Sequence, residues 1–216
     1  LHDIFSESEL KKIREIHWAT SSFQTTFADN NKRALPSISE FVELLNGSYQ
    51  SNDWTPGKGT SITASRISND GVVEDLRNVP VHNAGKLFTS GYTLCFGDVS
   101  AFTPQLECLK NDAISYFGGD DKVLITCYLS PPKSSGVLHY DRQHNFFIQS
   151  DGVKKWTVSE SEAVKSPYDN FVYPGATTEF FNLMKRQGYK IKKPYECGKK
   201  RHELQPSEIL YVPPGF

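Results

Sequence analysis

Cysteine is scarce in this chain, and no two of its four cysteines (Cys95, Cys108, Cys127, Cys197) form a C-x-x-C pair. That excludes a disulfide-stapled scaffold and zinc-finger spacing. Cys95 and Cys127 lie in apolar strand-like runs and read as buried free thiols. A reducing, cytoplasmic setting suits them best, or a nuclear one if the source is eukaryotic. Excess charge is missing too: the formal net charge is −1, so nothing global calls for a polyelectrolyte partner. No apolar run could span a membrane and no signal peptide is visible. The chain starts at Leu1 rather than Met, so both ends are expected to be trimmed. Repeats, low-complexity tracts and RNP-type aromatic motifs are absent, which leaves nucleic acid unsupported as a partner.

What is present is aromatic: 14 Phe and 10 Tyr suit a β-rich core. At 216 residues the chain has the length of one domain with a sizeable interior. Ser6 and Glu9 form a capping-box pattern ahead of Leu10, Ile13 and Ile16, which predicts a helix over Ser6–Trp18. A second helix, Ser37–Leu45, closes at Asn46-Gly47. Residues 19–36 and 48–60 read as irregular. Ser61–Ile67, Gly91–Phe96 and Lys122–Leu129 read as strands, the last as a strong core strand. Thr103-Pro104 opens a helix to about Phe117. Residues 161–203 make a long polar excursion of the kind that serves as a lid or substrate loop. Within it, Phe180-Phe181-Asn182-Leu183-Met184 has the pattern of a short helix.

The chemistry concentrates at His139-Tyr140-Asp141. A His and an Asp two apart on an extended segment project from the same face. Together they supply two-thirds of a 2-His-1-carboxylate facial triad, the arrangement that binds Fe(II) and leaves positions open. Alone, H-x-D is a weak signal, and its ordinary reading is a polar strand end. The context strengthens it. Asn145-Phe146-Phe147-Ile148-Gln149 enters a core, Ser150-Asp151-Gly152 turns, and Val153–Val158 returns, which reads as a hairpin. Lys154 and Lys155 then point to opposite faces, one inward. A buried ammonium is costly without an acidic partner, so the inward one calls for an anion. His144 has the wrong parity to join His139. His17 reads as structural.

From Val123 to Val158 the chain resembles the JmjC and cupin-4 families of Fe(II)/2-oxoglutarate oxygenases. Leu129–Val137 is similar to the bacterial ribosomal-oxygenase branch, and His139–Trp156 to the asparaginyl hydroxylases. A looser similarity runs from about Leu87 to the end. There Leu210-Tyr211-Val212-Pro213-Pro214-Gly215 resembles the strand before the family's distal histidine. The resemblance implies a mainly β fold: a double-stranded β-helix (jelly roll, cupin/JmjC) with flanking N-terminal helices, helical over about 1–60 and jelly roll over about 61–216. It implies Fe(II) and 2-oxoglutarate, with His139 and Asp141 as iron ligands and Lys154 on the distal carboxylate of 2-oxoglutarate. It further implies cosubstrate contacts from Asn145 and Tyr128. Two positions depart from the pattern. Gly136 stands where a cosubstrate-binding threonine is common, so another donor must fill in. The distal histidine is expected about two residues beyond Phe216, with His202 as an alternative third ligand.

The resemblance implies hydroxylation of a C–H on a protein, peptide or amino-acid-like substrate. N-methyl demethylation by the same chemistry is the nearest alternative. A non-catalytic cupin-like binding module and a metal-dependent cupin without 2-oxoglutarate are the others, and Lys154 argues against the last. Residues 185–201 are rich in Lys and Arg, which reads first as a solvated surface and second as a docking face for an acidic peptide or nucleic acid. Arg142, Gln143 and His144 fall near the expected mouth. The substrate itself is not legible.

Overall fold

Ser6 caps the first helix as its spacing demands. Its hydroxyl accepts from the Glu9 N–H, and the Glu9 carboxylate accepts from the Ser6 N–H, which satisfies two otherwise orphaned donors. In this computed structural model, which describes residues 4–27, 35–43, 61–68, 70–118, 123–173 and 178–216, the α-helix spans Glu7–Lys12 and widens into a π-turn over Ile13–His17. Other helices cover Val81–Thr89, Pro104–Phe117 and Thr178–Arg186. Thr103 caps the Pro104–Phe117 helix, accepting from the Leu106 N–H, with proline at its first turn as expected. The described part of the Ser37 helix covers residues 38–43. Its Asn46-Gly47 close and the 48–60 loop lie outside the described residues.

Eleven strands are described: β1 (Phe23–Thr26), β2 (Ile62–Ile67), β3 (Val73–Leu76), β4 (Thr93–Phe96), β5 (Cys127–Leu129), β6 (His139–Tyr140), β7 (Asn145–Ile148), β8 (Lys154–Val158), β9 (Phe171–Val172), β10 (Lys200–Leu204) and β11 (Glu208–Val212). They form four antiparallel sheets, ordered β3-β2-β4-β5, β1-β11-β7, β10-β8 and β6-β9. The architecture therefore mixes helices with short antiparallel sheets. Among the described residues the sheets do not join into a closed barrel.

The chain divides into two compact units: Arg33–Gly136 with Leu1, and His2–Lys32 with Val137–Phe216. In the first, the four-stranded sheet buries Ile62, Ala64, Leu94 and Phe96 against Phe41, Val79, Val99 and Leu106. The expected core strand over Lys122–Leu129 shrinks to three residues. Ile125 gives its carbonyl to the Val99 N–H rather than to a strand, and Leu124 is 65% exposed. Lys122 lies outside the described residues.

The second unit corrects the expected hairpin. Strands β7 and β8 do not pair with each other: β7 pairs with β11, and β8 with β10. Both partner strands turn the corner together. Five residues (149–153) on one side match four (205–208) on the other, and the corner is held by bonds from the Gln149 N–H to the Glu208 carbonyl and the Ser207 N–H to the Gln149 carbonyl. A β-bulge-like mismatch of this kind bends a ladder. The result is one two-stranded ladder folded over on itself, the device from which jelly rolls are built. Residues 19–36, expected to be irregular, contain β1, which extends this sheet along β11.

Opposite residues of a ladder share a face, so the inner side carries Asn145, Phe147, Leu210 and Val212 on one sheet and Lys154, Trp156, Val158 and Leu204 on the other. Phe147 packs on Trp156 with ring centroids 4.1 Å apart, and Leu204 and Leu210 are fully buried between the layers.

Candidate metal and cosubstrate site

His139 sits on β6 because that strand pairs with β9, His139 opposite Val172 and Tyr140 opposite Phe171. Alternation sends Tyr140 inward, where it is buried with Ala163, Val164 and Cys197, and leaves His139 and Asp141 together on the other side. His139 Nε2 and Asp141 Oδ2 are 3.7 Å apart. Two donors about 2.1 Å from one octahedral ion lie roughly 3 Å apart, so about 0.7 Å of closure brings both onto one ion.

The hydrogen bonds around the pair settle which atoms face each other. His139 Nδ1 is 2.8 Å from the Val137 carbonyl, which can only accept. Nδ1 therefore carries the proton, and in the neutral ring Nε2 presents its lone pair toward Asp141. This is the tautomer a metal needs. Asp141 Oδ2 accepts from Asn145 Nδ2 at 2.8 Å, which fixes the carboxylate's rotation. The Asp141 carbonyl accepts from the Gly215 N–H at 2.8 Å, so the segment after β11 lies against the Asp141 backbone. Gly215 has φ +81°, and a Cβ there would collide with the Val164 carbonyl oxygen; only glycine passes.

Of the two adjacent lysines, Lys155 is the outward one, 81% exposed and 3.5 Å from Glu203. Lys154 lies on the inner side, its ammonium 5.1 Å from the Trp156 ring centroid. Asn145 and Lys154 thus occupy the facing inner sides of the folded ladder, joined by the Phe147–Trp156 contact. Tyr128 belongs to the other compact unit: it lies on β5 opposite Cys95, whose thiol it hydrogen-bonds, and is 53% exposed.

His202 and His144 of this unit have structural partners. His202 is buried, with Nδ1 at 2.9 Å from Gln24 Oε1 and Nε2 at 3.2 Å from Ser22 Oγ. Both ring nitrogens are used, so His202 is not available as the third ligand. Burial, reinforced by Lys200, lowers its pKa. His144 stacks on Trp18 at 3.8 Å and meets the Tyr211 hydroxyl at 2.8 Å, facing away from His139 as its parity demands. The Tyr211 hydroxyl also accepts from the Ala19 N–H. Burial lowers the His144 pKa and pushes that of Tyr211 up to about 12. Among the described residues, no third His, Cys, Asp or Glu joins His139 and Asp141 in a metal-sized cluster.

One residue escaped the sequence reading. Trp156 Nε1 is a buried donor with no acceptor among the described residues, beside the Lys154 ammonium. An orphaned buried N–H is rare and costs about 1–3 kcal/mol. A buried donor beside a cation is matched by an anionic acceptor. A carboxylate ligand fits that requirement, as an imidazole nitrogen and a carboxylate oxygen fit Fe(II). The signal in the sequence was Trp156 two residues after Lys154, hence on the same face.

A family model described as a JmjC domain matches residues 100–216. No curated protein matches the chain significantly.

Proposed function

The chain belongs to the JmjC domain family, and from that membership we propose that it is an Fe(II)- and 2-oxoglutarate-dependent oxygenase that hydroxylates a C–H of a protein or peptide side chain. Two observations carry this reading: His139 Nε2 and Asp141 Oδ2 stand 3.7 Å apart with Asn145 of β7 bonded to the carboxylate, and the layer facing Asn145 holds an ammonium beside an unsatisfied N–H.

In this reading His139 and Asp141 hold the iron. Val137 keeps the imidazole in the ligating tautomer, and Asn145 keeps the carboxylate aimed. Lys154 neutralises the far carboxylate of 2-oxoglutarate, with the Trp156 N–H as a second donor in place of the threonine that Gly136 lacks. Leu204, Leu210 and Phe147 keep water from the space behind. The Gly215–Asp141 bond brings the segment after β11 against the same pair. When bound, iron and 2-oxoglutarate supply the oxidation: dioxygen is consumed, 2-oxoglutarate becomes succinate and carbon dioxide, and one oxygen atom goes to the substrate.

The test is succinate formation from 2-oxoglutarate with Fe(II), comparing wild type with His139→Ala, with mass spectrometry of candidate peptides in parallel. Succinate from wild type alone, with one added oxygen on a peptide, supports the proposal. Formaldehyde with loss of a methyl group would make the protein a demethylase instead. Equal turnover in both proteins, or none in either, would sink the assignment of His139.

A further inference from the structure

Residues 185–201 hold eight Lys or Arg (Lys185, Arg186, Lys190, Lys192, Lys193, Lys199, Lys200, Arg201) against one Glu, so the segment carries +7 in a chain whose net charge is −1. The near-neutral total thus hides a strong separation of charge. All eight side chains are exposed, and none forms an ion pair with another described residue. The one acid, Glu196, is committed to its own turn, where its carboxylate accepts from the Lys193 N–H at 2.7 Å.

This surface is fixed to the elements behind His139. The Thr178–Arg186 helix places Phe181 against Phe171 of β9 (6.2 Å), Phe171 packs on Tyr140 of β6 (5.6 Å), and the Tyr173 hydroxyl donates to the Lys192 carbonyl. Tyr189 and Ile191 pack on the same small core, and the Lys192 N–H donates to the Ala163 carbonyl at 2.7 Å. Residues 178–193 are thus an anchored shelf with exposed cations, and Lys200 and Arg201 on β10 alternate to opposite sides of their strand.

Clustered, unpaired, like-signed cations repel one another and are relieved by an anionic partner. Exposed apolar groups lie among them: Leu183 is 52% exposed and Tyr195 is 72% exposed. We infer that the 185–201 shelf is a docking surface for an acidic polypeptide, whose carboxylates meet the cations and whose apolar side chains meet Leu183 and Tyr195. A single-stranded nucleic acid would instead use an open aromatic face for base stacking. Here the exposed ring, Tyr195, already has the Lys193 ammonium over it at 5.8 Å. That the docked polypeptide is also the molecule oxidised rests on the oxygenase reading; the binding does not.

The test is fluorescence anisotropy on the full-length protein, without metal or 2-oxoglutarate. Three labelled probes are compared: a peptide alternating glutamate with leucine and serine, its lysine counterpart, and a single-stranded RNA of equal length. The acidic peptide should bind best and weaken steeply as salt approaches about 1 M, where the screening length is about 3 Å. K185E/K190E/K199E should weaken it about tenfold or more, while K11E/K86E, exposed cations elsewhere, should leave it within about twofold; circular dichroism checks that both fold. Preference for RNA, equal binding by the lysine peptide, no binding at all, or indifference to K185E/K190E/K199E would each overturn the inference. Acidic-peptide binding without succinate formation would leave the surface standing and remove the oxygenase.

Discussion

Asn145 shows how much one amide can decide. Its Nδ2–H bond to Asp141 Oδ2 falls on the oxygen that faces His139. Partners that orient a ligand typically contribute 10–100-fold to metal affinity. Asn145→Ala should therefore weaken Mn(II) or Co(II) binding by about that factor, read by titration without turnover; unchanged affinity would show that Asp141 needs no such support. The family resemblance assigned Asn145 to the cosubstrate, and the structure gives it a carboxylate partner first. Trp156 makes the complementary case. If its orphaned N–H meets the 2-oxoglutarate carboxylate, Trp156→Phe should weaken 2-oxoglutarate about fivefold or more, one lost hydrogen bond to a charged group, while thermal stability stays equal or rises. Calorimetry with the metal-loaded protein separates the two effects; equal affinity would make Trp156 merely a packing residue.

At the scale of elements, the folded ladder explains why the site residues meet. β7 and β8 read as a hairpin from Gly152 and the flanking alternation, yet each keeps its own partner, because β11 and β10 turn the same corner. The two inner faces then look at each other instead of lying side by side, and Asn145 and Lys154 come to face a common space. The segment that closes this arrangement passes through Gly215, whose carbonyl accepts from the Ala163 N–H while its N–H holds Asp141. Gly215→Ala forces a side chain onto a left-handed backbone and into the Val164 carbonyl. It should cost about 2–4 kcal/mol in urea unfolding, with weakened metal binding in the fraction that folds. A change below about 0.5 kcal/mol would show the loop to be slack.

Across the whole molecule, stability should depend on pH through histidines. His17, His144 and His202 all have pKa values lowered from 6.5, burial being the first cause in each, with Lys200 adding to His17 and His202. A base whose folded pKa lies below its unfolded value binds protons more readily when unfolded. The stability these histidines contribute is therefore complete above about pH 6.5 and is lost as pH falls from there toward their folded values. Thermal melts from pH 8 to about pH 5 should show a decline beginning near 6.5, and His202→Gln should flatten it even though its midpoint is lower throughout. An identical slope in the variant would remove His202 from the account.

Local rules made much of this chain legible in advance. The Ser6–Glu9 capping box, the Thr103-Pro104 helix start, the strand over Ile62–Ile67, the opposite faces of Lys154 and Lys155, and the away-facing parity of His144 all depend on residues within a few positions of each other. So does the common side of His139 and Asp141. What required the tertiary structure was every choice between competing partners: β7 with β11 rather than β8, Ile125 with Val99 rather than a strand, β1 recruited from a polar stretch by the open edge of β11, and His202 claimed by Ser22 and Gln24. These bonds join positions up to about 190 residues apart. Their outcome turns on which long-range pairing buries Leu204 and Leu210 with the fewest unsatisfied polar groups, a competition that no local window contains.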